Sequence, residues 1–136
     1  LYGNVQVGMF DVTAELISAN IETAASDSDP TGFYVTPVFK LNDKVDLVVR
    51  YSNVDSDSGL IDISDTTPNA AEADLSAFGS NVGFDEASSW YFGGNWYLEE
   101  SIKVTFGYEF SNYEGLQIGL GDADVDAFRA RLQLLF

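Results

Sequence analysis

Two carboxylate doublets, Asp85-Glu86 and Glu99-Glu100, and the acidic stretch Asp55-Ser56-Asp57-Ser58-Gly59 are where this chain's residue types could do chemistry. Paired carboxylates serve acid–base catalysis when both face one substrate. Neighbours on a strand point to opposite faces and turns are wet, so neither doublet forms a dyad. The acidic stretch echoes the opening of a calcium loop. Its later ligands and closing glutamate are missing from their places, so a solvated acidic loop is the better reading. Histidine and cysteine are both absent, which removes the commonest general base, the usual zinc ligands and any disulfide. The expectation is a protein that is not an enzyme, with no cofactor and no metal.

The charged residues point elsewhere. Acids outnumber bases 22 to 6 in 136 residues, a formal net charge of -16, so nucleic acid is not an expected partner. Such acidity suits either solubility in a salty medium or a surface that attracts cations. Aromatic residues make up 14% of the chain and Gly (12) far exceeds Pro (3), a balance that favours strands over helices. No run approaches the ~20 consecutive apolar residues of a membrane-spanning helix. A membrane β-barrel is not excluded by that test, because its strands alternate.

Alternation is the dominant pattern. Phe128, Ala130, Leu132, Leu134 and Phe136 share one parity, and Arg129, Arg131 and Gln133 the other. Ile102, Val104, Phe106, Tyr108 and Phe110 repeat the design against Lys103, Thr105 and Glu109, and Trp90, Phe92, Gly94, Trp96 and Leu98 do so against Tyr91, Asn95 and Tyr97. Upstream, Val45, Leu47, Val49 and Tyr51 alternate with Asp46 and Arg50, and Phe33, Val35, Pro37, Phe39 and Leu41 with Tyr34, Thr36 and Lys40. Val5, Val7 and Met9 form a first strand, and Val12, Ala14 and Leu16 open a second with Thr13 and Glu15 on its polar face. Pro37 cannot donate a ladder hydrogen bond, which predicts a bulge or local fraying. A second bulge is expected where alternation slips after Ile17. The stretch 69–75 is at most a turn or two of helix.

Connections alternate in length as well. Phe10-Asp11, Asn42-Asp43 and Glu99-Glu100 are expected to be tight, and 24–30, 55–86 and 115–122 long, which describes an up-and-down meander. In a membrane barrel the long side faces outward and the final strand runs toward the periplasm. On that topology Phe33, Tyr51, Trp90, Phe92, Phe110 and Phe128 fall at the outer ends of the greasy face, and Phe39, Trp96 and Phe136 at the periplasmic ends. Aliphatic residues lie between, as a lipid-facing surface requires and a sandwich core does not. The polar parity carries Lys40, Asp46, Arg50, Lys103, Glu109, Arg129 and Arg131 in mid-strand, where a dry core would penalise them and a water-filled lumen would not. The predicted class is therefore an all-β, antiparallel up-and-down transmembrane β-barrel. Residues 1–136 form one segment of it, with a long extracellular loop at 55–86. Seven strands are an odd number with two unpaired edges, so further N-terminal strands are expected.

Several short pieces, taken in order, carry a family likeness: Tyr2-Gly3-Asn4, Phe10-Asp11-Val12 with Glu15, Gly32-Phe33-Tyr34-Val35, Leu47-Val48-Val49-Arg50-Tyr51-Ser52, Gly94-Asn95-Trp96-Tyr97-Leu98 and Phe128-Arg129-Ala130-Arg131 before a terminal Phe. Together they resemble the C-terminal portion of the phosphate-selective porins, the O and P type of outer-membrane porin. The resemblance spans nearly all of the chain except 55–86. It implies a sixteen-stranded barrel in the bacterial outer membrane, assembled as a homotrimer, of which this chain supplies about the last seven strands. It also implies contact with lipid and lipopolysaccharide and passive diffusion of small hydrophilic solutes or ions, anions such as phosphate among them. Family members that select phosphate line the lumen with arginine and lysine. Arg50, Arg129 and Arg131 could belong to such a lining, with Lys103 and Lys40 nearer the periplasmic exit. Asp46, Glu109 and Glu15 on the same face would blunt an anion preference. The terminal aromatic Phe136 is typical of the strand read by the barrel-assembly machinery.

Two rivals remain. One is an outer-membrane structural or binding barrel whose acidic loops engage divalent cations, lipopolysaccharide or a partner protein. The other is a soluble all-β carbohydrate-binding or hydrolase domain. For the inward bases, the plainer alternative to an anion path is a set of cross-strand ion pairs with Asp46 and Glu109 that stiffen the wall.

Overall fold

The computed structural model describes residues 1–22, 27–57, 61–62, 83–99, 101–115 and 122–134. Phe136, Glu100, the stretch 69–75 and most of the 55–86 loop lie outside the described residues. The described residues are all-β, with no helix. The strands are β1 (Tyr2–Val7), β2 (Phe10–Ser18), β3 (Ile21–Glu22), β4 (Asp27–Ser28), β5 (Thr31–Asn42), β6 (Val45–Asp55), β7 (Ile61–Asp62), β8 (Gly83–Phe84), β9 (Glu86–Glu99), β10 (Ile102–Glu114) and β11 (Ala123–Leu134). Seven of them form one antiparallel sheet in the order β1-β2-β5-β6-β9-β10-β11, while β3-β4 and β7-β8 are two-residue ribbons on the long hairpins. Each main strand thus pairs with the next main strand in sequence, and the seven-stranded sheet stays open at β1 and β11.

The short turns fall close to their expected places. The first is Gly8-Met9 rather than Phe10-Asp11, with Val7 opposite Phe10 and Gly8 at φ 59°. A positive φ at the first of two turn positions suits glycine, and such a turn matches the twist of the flanking strands. Met9 therefore belongs to the turn and not to the first strand. The second turn falls one residue later than expected, at Asp43-Lys44, where the Asn42 Oδ1 accepts the Lys44 N–H at 2.8 Å. The third lies between Glu99 and Ile102. The opposite end of the sheet carries the long connections after Ser18, Asp55 and Glu114.

Register explains both expected irregularities. β2 and β5 pair without interruption from Phe10↔Phe39 to Ser18↔Thr31, so no bulge follows Ile17. The apparent slip there has another cause. The polar face turns apolar at that level, where Ile17, Val54, Ala87 and Tyr113 line a cavity of about 200 Å³. Pro37 keeps its place opposite Val12, but the β5–β6 ladder passes from Val35↔Tyr51 to Val38↔Val48 with Thr36 and Pro37 unpaired. The missing N–H opens a local gap and leaves the register unchanged. Irregularities do occur beside two short turns, between Lys40 and Asn42 and between Ile102 and Lys103.

The two faces invert the usual order of burial. Phe106 is 45% and Leu132 64% exposed, whereas Glu109 is 2% and Asp46 8% exposed. Among the described residues the buried hydrophobic side chains are Ala87, Tyr91 and Tyr113, all on the polar parity. No second layer of described residues covers the greasy face, which is how a soluble sandwich would protect it.

Candidate functional site

Alternation sends one side chain in two to the polar face, and antiparallel register aligns them in rows across strands. One row runs Tyr34, Ser52, Ser89 and Ser111, the next includes Tyr91 and Glu109, and the next includes Val48, Gly93, Gly107 and Arg129. The serine hydroxyls of Ser52 and Ser89 meet at 2.8 Å, and the Ser89 hydroxyl donates to Glu109 Oε1 at 3.1 Å. Arg129 Nη2 donates to Glu109 Oε2 at 2.6 Å, an ion pair whose carboxylate side chain is almost fully buried. A charge-assisted bond this short, with a second donor on the other oxygen, offsets the cost of burying the carboxylate.

Tyr91 fills the space that two glycines leave. Gly93 and Gly107 face each other across β9 and β10, and a Cβ on Gly107 would lie 2.4 Å from the Tyr91 ring. The phenol lies along the backbone and donates to the Phe106 carbonyl at 3.2 Å. This aromatic cover replaces the packing that glycine lacks and holds a flat plate on the wall. The Arg50 guanidinium sits 5.4 Å from the centre of that plate, within reach of a cation–π contact.

Arg50, Lys103, Arg129 and Arg131 converge on a hollow of about 290 Å³ whose other lining groups include Thr36, Asn95, Thr105 and Gln133. Lys103 Nζ lies 5.9 Å from the Tyr97 ring centre, and Thr105 donates to Asn95 at 2.8 Å. Lys40 and Asp46 stand apart from this group, in a second hollow near the short turns with Tyr97. They face each other in register, yet no ion pair joins them among the described residues. Of the two acids that could pair with the inward bases, Glu109 has a salt bridge and Asp46 has none among the described residues.

On the greasy face, Phe33, Tyr51, Trp90, Phe92, Phe110 and Tyr108 make one continuous run of rings, with centroids 4.8 to 6.3 Å apart. These rings lie toward the long-hairpin end, and Phe128 stands beside Tyr108 in register, 70% exposed. At the short-turn end Trp96 is 47% exposed. Phe10, expected in a turn, instead lies on β2 and packs on Phe39 at 4.8 Å in the same region. Above the rings the greasy parity becomes polar, and Asn112 donates to Asp124 at 3.0 Å.

Sequence reasoning also missed the roles of Tyr91, Ser52 and Ser89. Parity alone placed Tyr91 on the polar face. The signal for its role was a glycine on each of two strands, which acquires meaning only once register sets Gly93 opposite Gly107. In the acidic stretch, Asp55 caps the Asp57 N–H and Asp57 accepts the Asp29 N–H, both at 2.8 Å. Those carboxylates serve backbone amides, and no metal-binding cluster occurs among the described residues. Comparisons with known protein families, curated proteins and solved structures find no match for this chain.

Proposed function

We propose that the chain forms wall strands of a bacterial outer-membrane β-barrel that lets small hydrophilic solutes or ions, anions such as phosphate among them, diffuse through a water-filled lumen. One observation carries this reading: the greasy face is bare, while the buried side chains, Asp46 and Glu109 among them, lie on the charged face. In water that arrangement would expose a contiguous apolar surface far beyond the patch of a few hundred Å² that a soluble monomer tolerates. Against acyl chains the same surface is at home, and the polar face then touches water.

The dimensions fit. Ile102 to Phe110 covers about 8 steps of ~3.3 Å, roughly 26 Å along β10 and about 20 Å in height at a tilt of ~40°, close to the ~25 Å apolar band of such barrels. The strands β5, β6, β9, β10 and β11, of 11 to 14 residues, are long enough for that crossing. Rings gathered at both ends of the band match the aromatic girdles of membrane barrels. The sixteen-stranded trimer and its contact with lipopolysaccharide are part of the same proposal and rest on the family resemblance. The test is conductance of the refolded protein in a planar bilayer. Stepwise ohmic channels are expected, and a protein that inserts without conducting refutes the channel.

A further inference from the structure

We propose that Glu109 sets the charge preference of this channel by neutralising Arg129 from a buried position on the same polar face, an inference that rests on the channel reading above. Among the described residues, the hollow on the polar face is lined by four cations, Arg50, Lys103, Arg129 and Arg131, and by no carboxylate. Glu109 lies beside it in the adjoining row, 2% exposed, with one oxygen on Arg129 at 2.6 Å and the other on Ser89 at 3.1 Å. An ion in the water above is farther from this pair than the two charges are from each other. It therefore meets a small dipole where Arg129 alone would present a full positive charge. Arg131, exposed and without an ion pair among the described residues, keeps its charge, as does Arg50 against the neutral Tyr91 ring. Glu109 is a positioning residue that touches no solute. Its buried carboxylate removes one of the four cationic charges from the field in the lumen, and its bond to Ser89 holds Arg129 along the sheet.

The experiment reads reversal potential under a salt gradient across a planar bilayer, using the full chain and potassium chloride as the probe. Glu109→Gln keeps the shape of the side chain and removes its charge. It is expected to raise the anion-to-cation permeability ratio about twofold or more in dilute salt, an effect that fades near 1 M as the screening length shrinks to ~3 Å. Glu109→Asp keeps the charge and should keep the wild-type potential, even where it lowers the melting temperature. The double variant Glu109→Gln/Arg129→Gln removes a neutral pair and should also match wild type, whereas Arg131→Gln should shift the potential toward cations. A Glu109→Gln channel with the wild-type potential overturns the proposal while the channel reading stands. So does a double variant that shifts as far as Arg131→Gln, a comparison that decides the matter even when the single variant fails to insert. A wild-type protein that carries no current removes the channel reading and this inference with it.

Discussion

Leu47 lies in the aliphatic band of the greasy face, deeper than the short turns, between Phe39 and Gly94 in register, and is 46% exposed. Leu134 lies on the same face beside the short turns, opposite Ile102, and is 51% exposed. If this face met water, Leu47→Arg and Leu134→Arg would each change stability by no more than about 0.5 kcal/mol, as exposed surface substitutions do. Against lipid the two positions part company. An arginine near the bilayer midplane costs roughly 2–4 kcal/mol and one near the interface about 0–1 kcal/mol. For Leu47→Arg that is on the order of a hundredfold in the unfolding equilibrium, since ~1.4 kcal/mol is tenfold. Denaturant unfolding from lipid vesicles, followed by tryptophan fluorescence and extrapolated linearly, resolves a difference of that size. Equal and small effects at both sites would refute the lipid assignment, because against acyl chains the deeper Leu47 must carry the larger cost.

Other consequences are more local. Trp90 and Trp96, each about half exposed on the greasy face, should be quenched strongly by brominated acyl chains in vesicles and weakly by acrylamide; the reverse pattern would place them in water. Gly107→Ala should destabilise the fold by about 1–3 kcal/mol because the new methyl meets the Tyr91 ring at 2.4 Å. Tyr91→Ala should also cost stability, but Tyr91→Ala/Gly107→Ala should lose less than the sum of the two, a non-additivity measurable in the same unfolding assay.

Strand alternation made most of the sheet legible in the sequence. The pleat forces Phe106 and Lys103 to opposite sides whatever surrounds them, so the faces of β5, β6, β9, β10 and β11 follow from parity alone. The turns were legible only to within one or two residues. Gly8-Met9 shows why: the phenylalanine and aspartate that follow continue the chain in extended form, and the positive φ at Gly8, not hydrophilicity, sets the reversal. Ile17 misled because the polar face has an apolar patch of its own at the level of Val54 and Tyr113. The network around Glu109 could not be read from sequence spacing. Arg129 meets a residue twenty positions away through a diagonal that exists only after β10 and β11 settle into register.

The open sheet has a directional consequence. With an odd number of strands, each reversed relative to the last, β1 and β11 point the same way. They therefore cannot zip to each other in the antiparallel sense. A closed ring built on this meander must add an odd count of strands between those two edges. Only that parity gives every backbone amide along β1 and β11 an oppositely directed neighbour while the long hairpins all stay on one side.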